Sequence, residues 1–294
     1  MIRYPITRAK LDAEITAKSA TWFADTAAVV ASLPATPASS DFKPLWSKVK
    51  EVYIELQHSK CCFCEKPLEG NIEQDVEHFR PKAEVRSWKK IPAELVAEGV
   101  VVNQPADGSA EDGYTQLPYH PFNYAMSCKT CNSTFKGNLF PIEGTRDSAN
   151  SDSAAMDGEK PLLIYPLGSI DADPESLIEF DALSPVPKKA TGYGRRRALV
   201  MISLFRLDDA KKRKSLFKAR ATLVRLLYAE LEGVANASTA AKKAKHQKVV
   251  DLLVSPETPF SNCLRSFARL YGSDPVRAEA IADECIKFMK TKSG

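Results

Sequence analysis

The 294-residue sequence predicts an α+β protein that is mostly helical, with a small metal-binding module between N-terminal helices and a C-terminal helical domain. Two observations predict this class. Apolar residues recur at helical spacing near both ends of the chain, and two Cys-x-x-Cys pairs lie in its loop-rich middle. The apolar content of 44% and the charged content of 27% are typical of a soluble globular protein with a large core.

The N-terminal region is predicted to be helical. A first helix is expected over residues 7–32, followed by a proline- and serine-rich breaker at 34–40. A second helix is expected over about 42–56, because its apolar residues fall on one side. It leads directly into the first Cys-x-x-Cys pair.

The two Cys-x-x-Cys pairs are Cys61 with Cys64 and Cys128 with Cys131. Four thiolates in two such pairs are the usual ligands of a closed tetrahedral zinc site. Cys62 could replace Cys61, but Cys62-x-Cys64 is the less usual spacing. A closed site leaves no position for a bound water, which argues against a hydrolase that uses this zinc for catalysis.

The chain divides into four predicted regions. These are the N-terminal helices at 1–57, the metal module at 58–143, a linker with short extended segments at 144–187, and a basic helical domain at 188–294. The metal module contains a loop-rich insertion at 83–118, and the small polar segment 144–160 is expected to be mobile. Four helices are expected in the last domain: one capped by Asp208 and Asp209 and running to about Glu232, one over about 240–253, one around 260–271, and one that begins at Asp274-Pro275.

Charge is unevenly distributed although the net charge is only +4. Residues 188–248 contain 17 Lys and Arg against four Asp and Glu, an excess of 13 positive charges, so the remainder carries −9. A basic segment attached to a metal module indicates a polyanionic partner, whereas a solvated helix face explains it equally well. This region has a basic face that could bind phosphates or dock an acidic surface; it includes Arg195, Arg196, Arg197, Lys211, Lys212, Arg213 and Lys214.

The N-terminal residues lack the apolar core of a signal peptide, and no apolar run approaches the ~18 residues that span a bilayer. The sequence therefore predicts a cytoplasmic protein with no membrane partner.

The segment Asp75-Val-Glu-His-Phe-Arg-Pro-Lys82, between the Cys-x-x-Cys pairs, offers groups suited to phosphodiester hydrolysis. A neutral imidazole such as His78 can take a proton from water, and a divalent cation can stabilise the charge that builds on the phosphoryl oxygens. Glu77 supplies a carboxylate beside it. Asn123 and Asn132 each offer a carbonyl oxygen, one of which could ligate the metal while the other orients the imidazole.

These motifs together resemble those of a known family. The order is Cys-x-x-Cys, then Glu-His-Phe-Arg-Pro-Lys, then an asparagine five residues before Cys-x-x-Cys-Asn, then Lys-Gly-Asn-x-Phe-Pro. It resembles the HNH endonucleases that carry a structural four-cysteine zinc, closely over about 58–142. A looser likeness continues in residues 161–166 and 194–207. Together these segments are similar to the HNH subunit of Septu-type and retron-associated antiphage systems, which works beside an AAA/ABC-type ATPase.

The resemblance implies a ββα-metal unit and specific residue roles. These are His78 as general base, Glu77 and Asn132 as ligands of a catalytic Mg²⁺ or Mn²⁺, Asn123 as the residue that positions the base, Cys61, Cys64, Cys128 and Cys131 as ligands of a structural Zn²⁺, and Arg80 and Lys136 as phosphate contacts. The implied substrate is nucleic acid, DNA rather than RNA, and the implied partner is the ATPase.

A second function class fits part of the pattern. A non-catalytic four-cysteine zinc module that binds nucleic acid or protein would keep the four cysteines. It has no need of Glu77, His78 and Asn123 at those places, so their presence favours the endonuclease.

Overall fold

The computed structural model describes residues 1–290 and confirms the α+β, mostly helical class. In this range the helices are α1 Arg8–Lys18, α2 Trp22–Ala31, α3 Lys50–Leu56, α4 Ala93–Ala97, α5 Pro174–Leu177, α6 Gly192–Leu204, α7 Lys214–Ala235, α8 Ala240–Leu253, α9 Ser261–Ser273 and α10 Pro275–Lys290. The strands are β1 Asp75–His78, β2 Glu84–Arg86, β3 Ala110–Asp112, β4 Tyr124–Ser127, β5 Ile178–Asp181 and β6 Ser184–Pro187. They pair as three antiparallel two-stranded sheets, β1 with β4, β2 with β3, and β5 with β6.

The first predicted helix is wrong in one respect, because residues 7–32 form two helices rather than one. The Thr7 side chain accepts a hydrogen bond from the Lys10 amide and caps α1, which ends at Ser19 in an extended conformation. The break lets the Trp22 ring enter the core, where its indole N–H donates to the Leu45 carbonyl at 2.9 Å. Burial of this large ring with its N–H satisfied explains the break.

The second predicted helix also divides. Leu45–Val49 form a 3-10 helix that runs into α3. The Tyr53 hydroxyl of α3 donates to the Pro121 carbonyl at 2.8 Å, which ties the N-terminal helices to the end of the long insertion.

The loops of the middle region carry more structure than their composition predicts. The insertion contains the β2–β3 hairpin and the single-turn α4. In the polar segment 144–160, the side chains of Ser153, Met156 and Glu159 are buried in the fold. The mobility predicted from the small polar composition of this segment therefore does not apply to these buried residues.

The C-terminal helices follow the predicted order. α7 packs against α8, α9 and α10. It begins after Arg213 rather than at Asp208, because Asp209 caps a preceding turn by accepting from the amides of Lys211 and Lys212. α10 begins where predicted, with Asp274 accepting from the Arg277 amide at 3.0 Å.

The excess of basic residues at 188–248 is partly neutralised within the fold. Arg195, Arg196 and Arg197 pair with Glu98, Glu143 and Asp171 at 2.6, 2.5 and 2.6 Å. A phosphate contact by this arginine run stays a prediction, since each arginine already has a carboxylate partner. The lysines of α8, in contrast, are exposed: Lys242, Lys243, Lys245 and Lys248.

No helix within residues 1–290 has the length and apolar character needed to cross a membrane.

Candidate metal and catalytic site

The four predicted zinc ligands meet in the structure. The sulfur atoms of Cys61, Cys64, Cys128 and Cys131 lie within 4.8 Å of one another, and all four side chains are buried. The Cys64 and Cys128 sulfurs are 3.9 Å apart. Tetrahedral zinc with bonds of ~2.3 Å separates its sulfur ligands by ~3.8 Å, so this group fits the ion. Cys62 is buried too but stands outside the group, as its spacing predicts.

Each Cys-x-x-Cys pair is held by backbone hydrogen bonds of a tight turn. In the first, the Cys61 amide donates to the Lys66 carbonyl and the Glu65 amide donates to the Cys61 carbonyl. Glu65 has a φ of 59°, the left-handed conformation that closes this turn. In the second, the Asn132 amide donates to the Cys128 carbonyl at 2.9 Å.

The C-terminal helical part of the chain contacts the four-cysteine group and its flanks. The Phe63 ring stacks on Phe205, which follows α6, with centroids 4.1 Å apart. The Lys60 ammonium donates to the Thr258 carbonyl and the Ser261 hydroxyl, each at 3.1 Å. Arg213 donates to the Cys131 sulfur at 3.6 Å. Four thiolates around Zn²⁺ would carry a net charge of −2, and this buried guanidinium would offset part of that charge.

β1 places Glu77 and His78 on opposite sides of the two-stranded sheet. In the antiparallel register Glu77 faces Ala125 and His78 faces Tyr124. Successive strand residues point to opposite faces, as the sequence predicts for this pair. Both nevertheless line one cavity of about 520 Å³, together with Asn132 and Lys82. Glu77 and His78 therefore reach the same cavity from opposite faces of β1.

Glu77 is buried, with 2% of its surface exposed, and pairs with Lys136 at 2.5 Å. Burial raises the pKa of Glu77, and Lys136 opposes this shift. Lys136 also donates to the His78 carbonyl at 3.1 Å. The helical segment Thr130–Lys136, of π type, thus brings Asn132 and Lys136 against β1.

The His78 imidazole sits among aromatic rings. Trp46 and Tyr124 approach it edge to face, with centroids 4.7 and 5.2 Å away. Its Nε2 lies 3.2 Å from the Pro118 carbonyl. Burial, followed by the Lys82 charge, lowers the pKa of His78 to about 3.

The two asparagines have different surroundings. Asn123 is fully buried and clamps the chain just after β1: its side chain oxygen accepts from the Arg80 amide at 2.8 Å, and its nitrogen donates to the carbonyls of Arg80 and Leu117. Asn132 lines the cavity, and its nitrogen donates to the Asp75 carboxylate at 3.1 Å. Asn123 is therefore placed to act on His78 through the backbone only.

Arg80 and Lys136, the predicted phosphate contacts, are both buried and have internal partners. Arg80 pairs with Glu159 at 2.8 Å and lies over the rings of Phe79, Tyr114 and Phe140. Glu159 also accepts from the Tyr114 hydroxyl at 2.6 Å. A phosphate contact by either cation stays a prediction, since each already has a carboxylate partner.

Three residues at or near the site have no role predicted from the sequence: Lys82 at the cavity, Trp46 beside His78, and Tyr119, which stacks on Trp46. Lys82 stands in the quoted Glu-His-Phe-Arg-Pro-Lys motif, and its place four residues after His78 is the signal that could have marked it. Trp46 and Tyr119 come from the N-terminal helices and the insertion, and no motif marks them. His120, near Asn123, binds Arg8 and Ser153 at 3.0 Å each and is a packed loop residue.

Comparison with known proteins gives one informative match. The chain is similar to the Septu protein PtuB of Bacillus mycoides (strain KBAB4), with 26% identity over 232 residues, which cover 78% of this chain and 70% of that protein. This similarity supports the link to Septu systems that the motifs suggested. No protein-family model matches the chain, and no solved structure matches it.

Replacing a sulfur ligand is expected to remove the zinc. Cys61→Ser and Cys128→Ser should each lose bound zinc and lower the melting temperature, because the remaining three sulfurs no longer close the site. Cys62→Ser, matched in chemistry and in burial, should keep its zinc. Elemental analysis of purified proteins measures this, and zinc retained in Cys61→Ser but lost in Cys62→Ser would exchange the two assignments.

Arg80→Met is expected to destabilise the fold by about 3–5 kcal/mol, because Glu159 would be left as a buried, uncompensated charge. The double variant with Glu159→Leu should recover much of this loss. Urea unfolding measures both, and the exposed pair Arg277–Asp181 provides a control, with a loss of at most about 1 kcal/mol for Arg277→Met. Parent-like stability of Arg80→Met would contradict a structural role.

The fold is expected to lose stability in mild acid through His120. Burial, followed by the Arg8 charge, lowers the pKa of His120 to about 4, below its unfolded value of ~6.5. The unfolded chain therefore binds the additional proton first, and stability falls as pH falls from about 6.5 towards 4. Between pH 7.5 and 5.5 this contributes about 1 kcal/mol.

The measurement is urea unfolding of the parent and of His120→Asn at both pH values, with zinc content verified. The variant should lose about 1 kcal/mol less than the parent over this range. Equal losses in the two proteins would show that His120 titrates normally.

Proposed function

We propose that this chain is a metal-dependent HNH endonuclease that hydrolyses phosphodiester bonds of DNA, and that it serves antiphage defence beside an AAA/ABC-type ATPase in the cytoplasm. The observation that carries the nuclease proposal is the meeting of Glu77, His78 and Asn132 at one cavity. They come from β1 and the helical segment after β4, next to the four-cysteine group. The similarity to a Septu protein supports the defence role.

In this proposal His78 accepts the proton of the attacking water through Nδ1. The Pro118 carbonyl can only accept a hydrogen bond, so Nε2 carries the hydrogen and Nδ1 keeps its lone pair. With its pKa lowered to about 3, the imidazole is neutral near pH 7. A neutral, oriented histidine is the form that general-base catalysis needs.

Glu77 and Asn132 fit the proposed Mg²⁺ or Mn²⁺ because hard cations prefer oxygen ligands. When bound, such a cation would stabilise charge on the phosphoryl and leaving oxygens. The Asn132 nitrogen is used by Asp75, which leaves its side chain oxygen as the atom for the metal. Lys136 already neutralises Glu77. To bind the metal, the Glu77 carboxylate must therefore either contact the metal and Lys136 at once or release the Lys136 ammonium.

The four regions then have separate proposed roles. The module at 58–143 cuts, the helices at 1–57 buttress it, 144–187 links the two parts, and 188–294 contacts nucleic acid or the ATPase. The exposed lysines of α8, together with the exposed Lys211 and Lys212, are available for such contacts. Separation of these regions as domains is part of the proposal.

The purified protein is expected to cut plasmid DNA with Mg²⁺ or Mn²⁺, and His78→Ala is expected to lose at least about 100-fold in rate. Zinc content should be equal in both, because His78 is not among the sulfur ligands. His246→Ala, which changes a histidine of α8 that pairs with Glu230, is the matched control and should cut normally.

Full-rate cutting by His78→Ala would contradict the base assignment. If the parent cuts neither DNA nor RNA, even with the ATPase present, the non-catalytic zinc module becomes the better description.

A further inference from the structure

The candidate cavity contains one cation that lacks an acidic partner within residues 1–290. Lys136, which pairs with Glu77, and Arg86, which pairs with Glu84 at 2.6 Å, line a neighbouring cavity. Lys82 lines the same cavity and is half-buried. In the described part of the chain no carboxylate forms an ion pair with it, and burial is the cause that lowers its pKa.

An aromatic ring fixes the Lys82 ammonium close to His78. The Lys82 nitrogen lies 4.0 Å from the centroid of the Trp46 ring, a cation–π contact. The same indole approaches His78 edge to face at 4.7 Å. One side chain therefore positions both the cation and the imidazole.

Trp46 is itself held by the insertion. Its ring stacks on Tyr119 with centroids 6.1 Å apart, and the Tyr119 hydroxyl donates to the Lys43 carbonyl at 2.8 Å. The N-terminal region thus contributes to the surroundings of His78 and Lys82, although the sequence motifs lie entirely outside it.

Apart from the Trp46 ring, the described part of the chain supplies no partner for the ammonium, so its N–H donors are available to a ligand. A half-buried cation in this condition is poorly compensated, and an anion that enters the cavity would supply both charge and acceptors. A simple packing role for the lysine stem explains its burial but not the placement of its charge beside His78.

We propose that Lys82 binds the phosphate that is cleaved, and that Trp46 is the residue that positions it. This inference rests on the proposed function and identifies the side chain that contacts the substrate phosphate at that site. It replaces Arg80 and Lys136, whose charges are already paired, as the main phosphate contact.

Binding is tested first in a His78→Ala background, which is not expected to cut. The affinity for a short DNA duplex is measured over a range of salt concentrations for Lys82, Lys82→Gln and Lys82→Arg proteins. Lys82→Gln should weaken binding about tenfold and reduce the slope of log affinity against log salt by ~0.9, one phosphate contact. Lys82→Arg should restore most of both.

Two further variants make the test specific. Lys43→Gln removes an exposed lysine three residues before Trp46 and should leave the slope unchanged. Trp46→Leu should reduce the slope as Lys82→Gln does, while Trp46→Phe, which keeps an aromatic face, should not. Zinc content and melting temperature verify that every variant is folded.

Single-turnover cleavage with His78 present is tested second, and Lys82→Gln should lower the rate at least about tenfold. An unchanged salt slope in folded Lys82→Gln would overturn the inference, whatever the rate. If no protein cuts but the slope responds to Lys82→Gln, the nuclease proposal fails and the phosphate contact by Lys82 stands.

Discussion

The requirement that four cysteines reach one point organises this molecule. Cys61–Cys64 and Cys128–Cys131 lie far apart in the chain, yet their sulfurs lie within 4.8 Å of one another. β4 runs directly into Cys128, and Asn132 follows Cys131, so the sulfur geometry also sets the register of the candidate site. Lys60 and Phe63, beside these cysteines, contact Ser261 and Phe205 and so connect the group to the C-terminal helices. A metal that closes the group would therefore stabilise the whole arrangement rather than one loop.

A second constraint follows from the long connection between β1 and β4. A two-residue turn would fix the register of such a pair by itself, but here residues 79–123 intervene. Here buried polar groups fix the register of β1 and β4 instead. Asn123 binds the backbone of Arg80 from both sides, and the Arg80 side chain pairs with Glu159. Because these groups are buried, each lost partner is costly, and the turn after His78 stays fixed.

The sequence predicts features that depend on local spacing and misses those that depend on distant contacts. The four cysteines, the start of α10 and the opposed directions of Glu77 and His78 all follow from residue type and period. The break before Trp22 depends on a core that only the folded chain supplies. The pairing of the arginine run with Glu98, Glu143 and Asp171 joins residues up to 97 positions apart, which no local count of charge reveals.

The same reason explains the limits at the candidate site. The residues that could do chemistry lie in or beside short motifs, so the sequence identifies their types. Whether a cation is free depends on what faces it: Arg80 meets Glu159, Lys136 meets Glu77, and Lys82 meets an indole. Three basic residues in similar sequence contexts thus differ in their availability to a ligand.

The balance of charge in the resting cavity has a consequence for the proposed enzyme. Glu77 is neutralised by Lys136 and His78 is uncharged, so the protein alone offers a divalent cation little net negative charge. A bound phosphate would add negative charge and oxygen ligands, and Mg²⁺ commonly completes its coordination with substrate phosphates. Metal and nucleic acid would then bind cooperatively, each weak alone. Under the proposed function, the site would then be complete only when metal and nucleic acid are bound together.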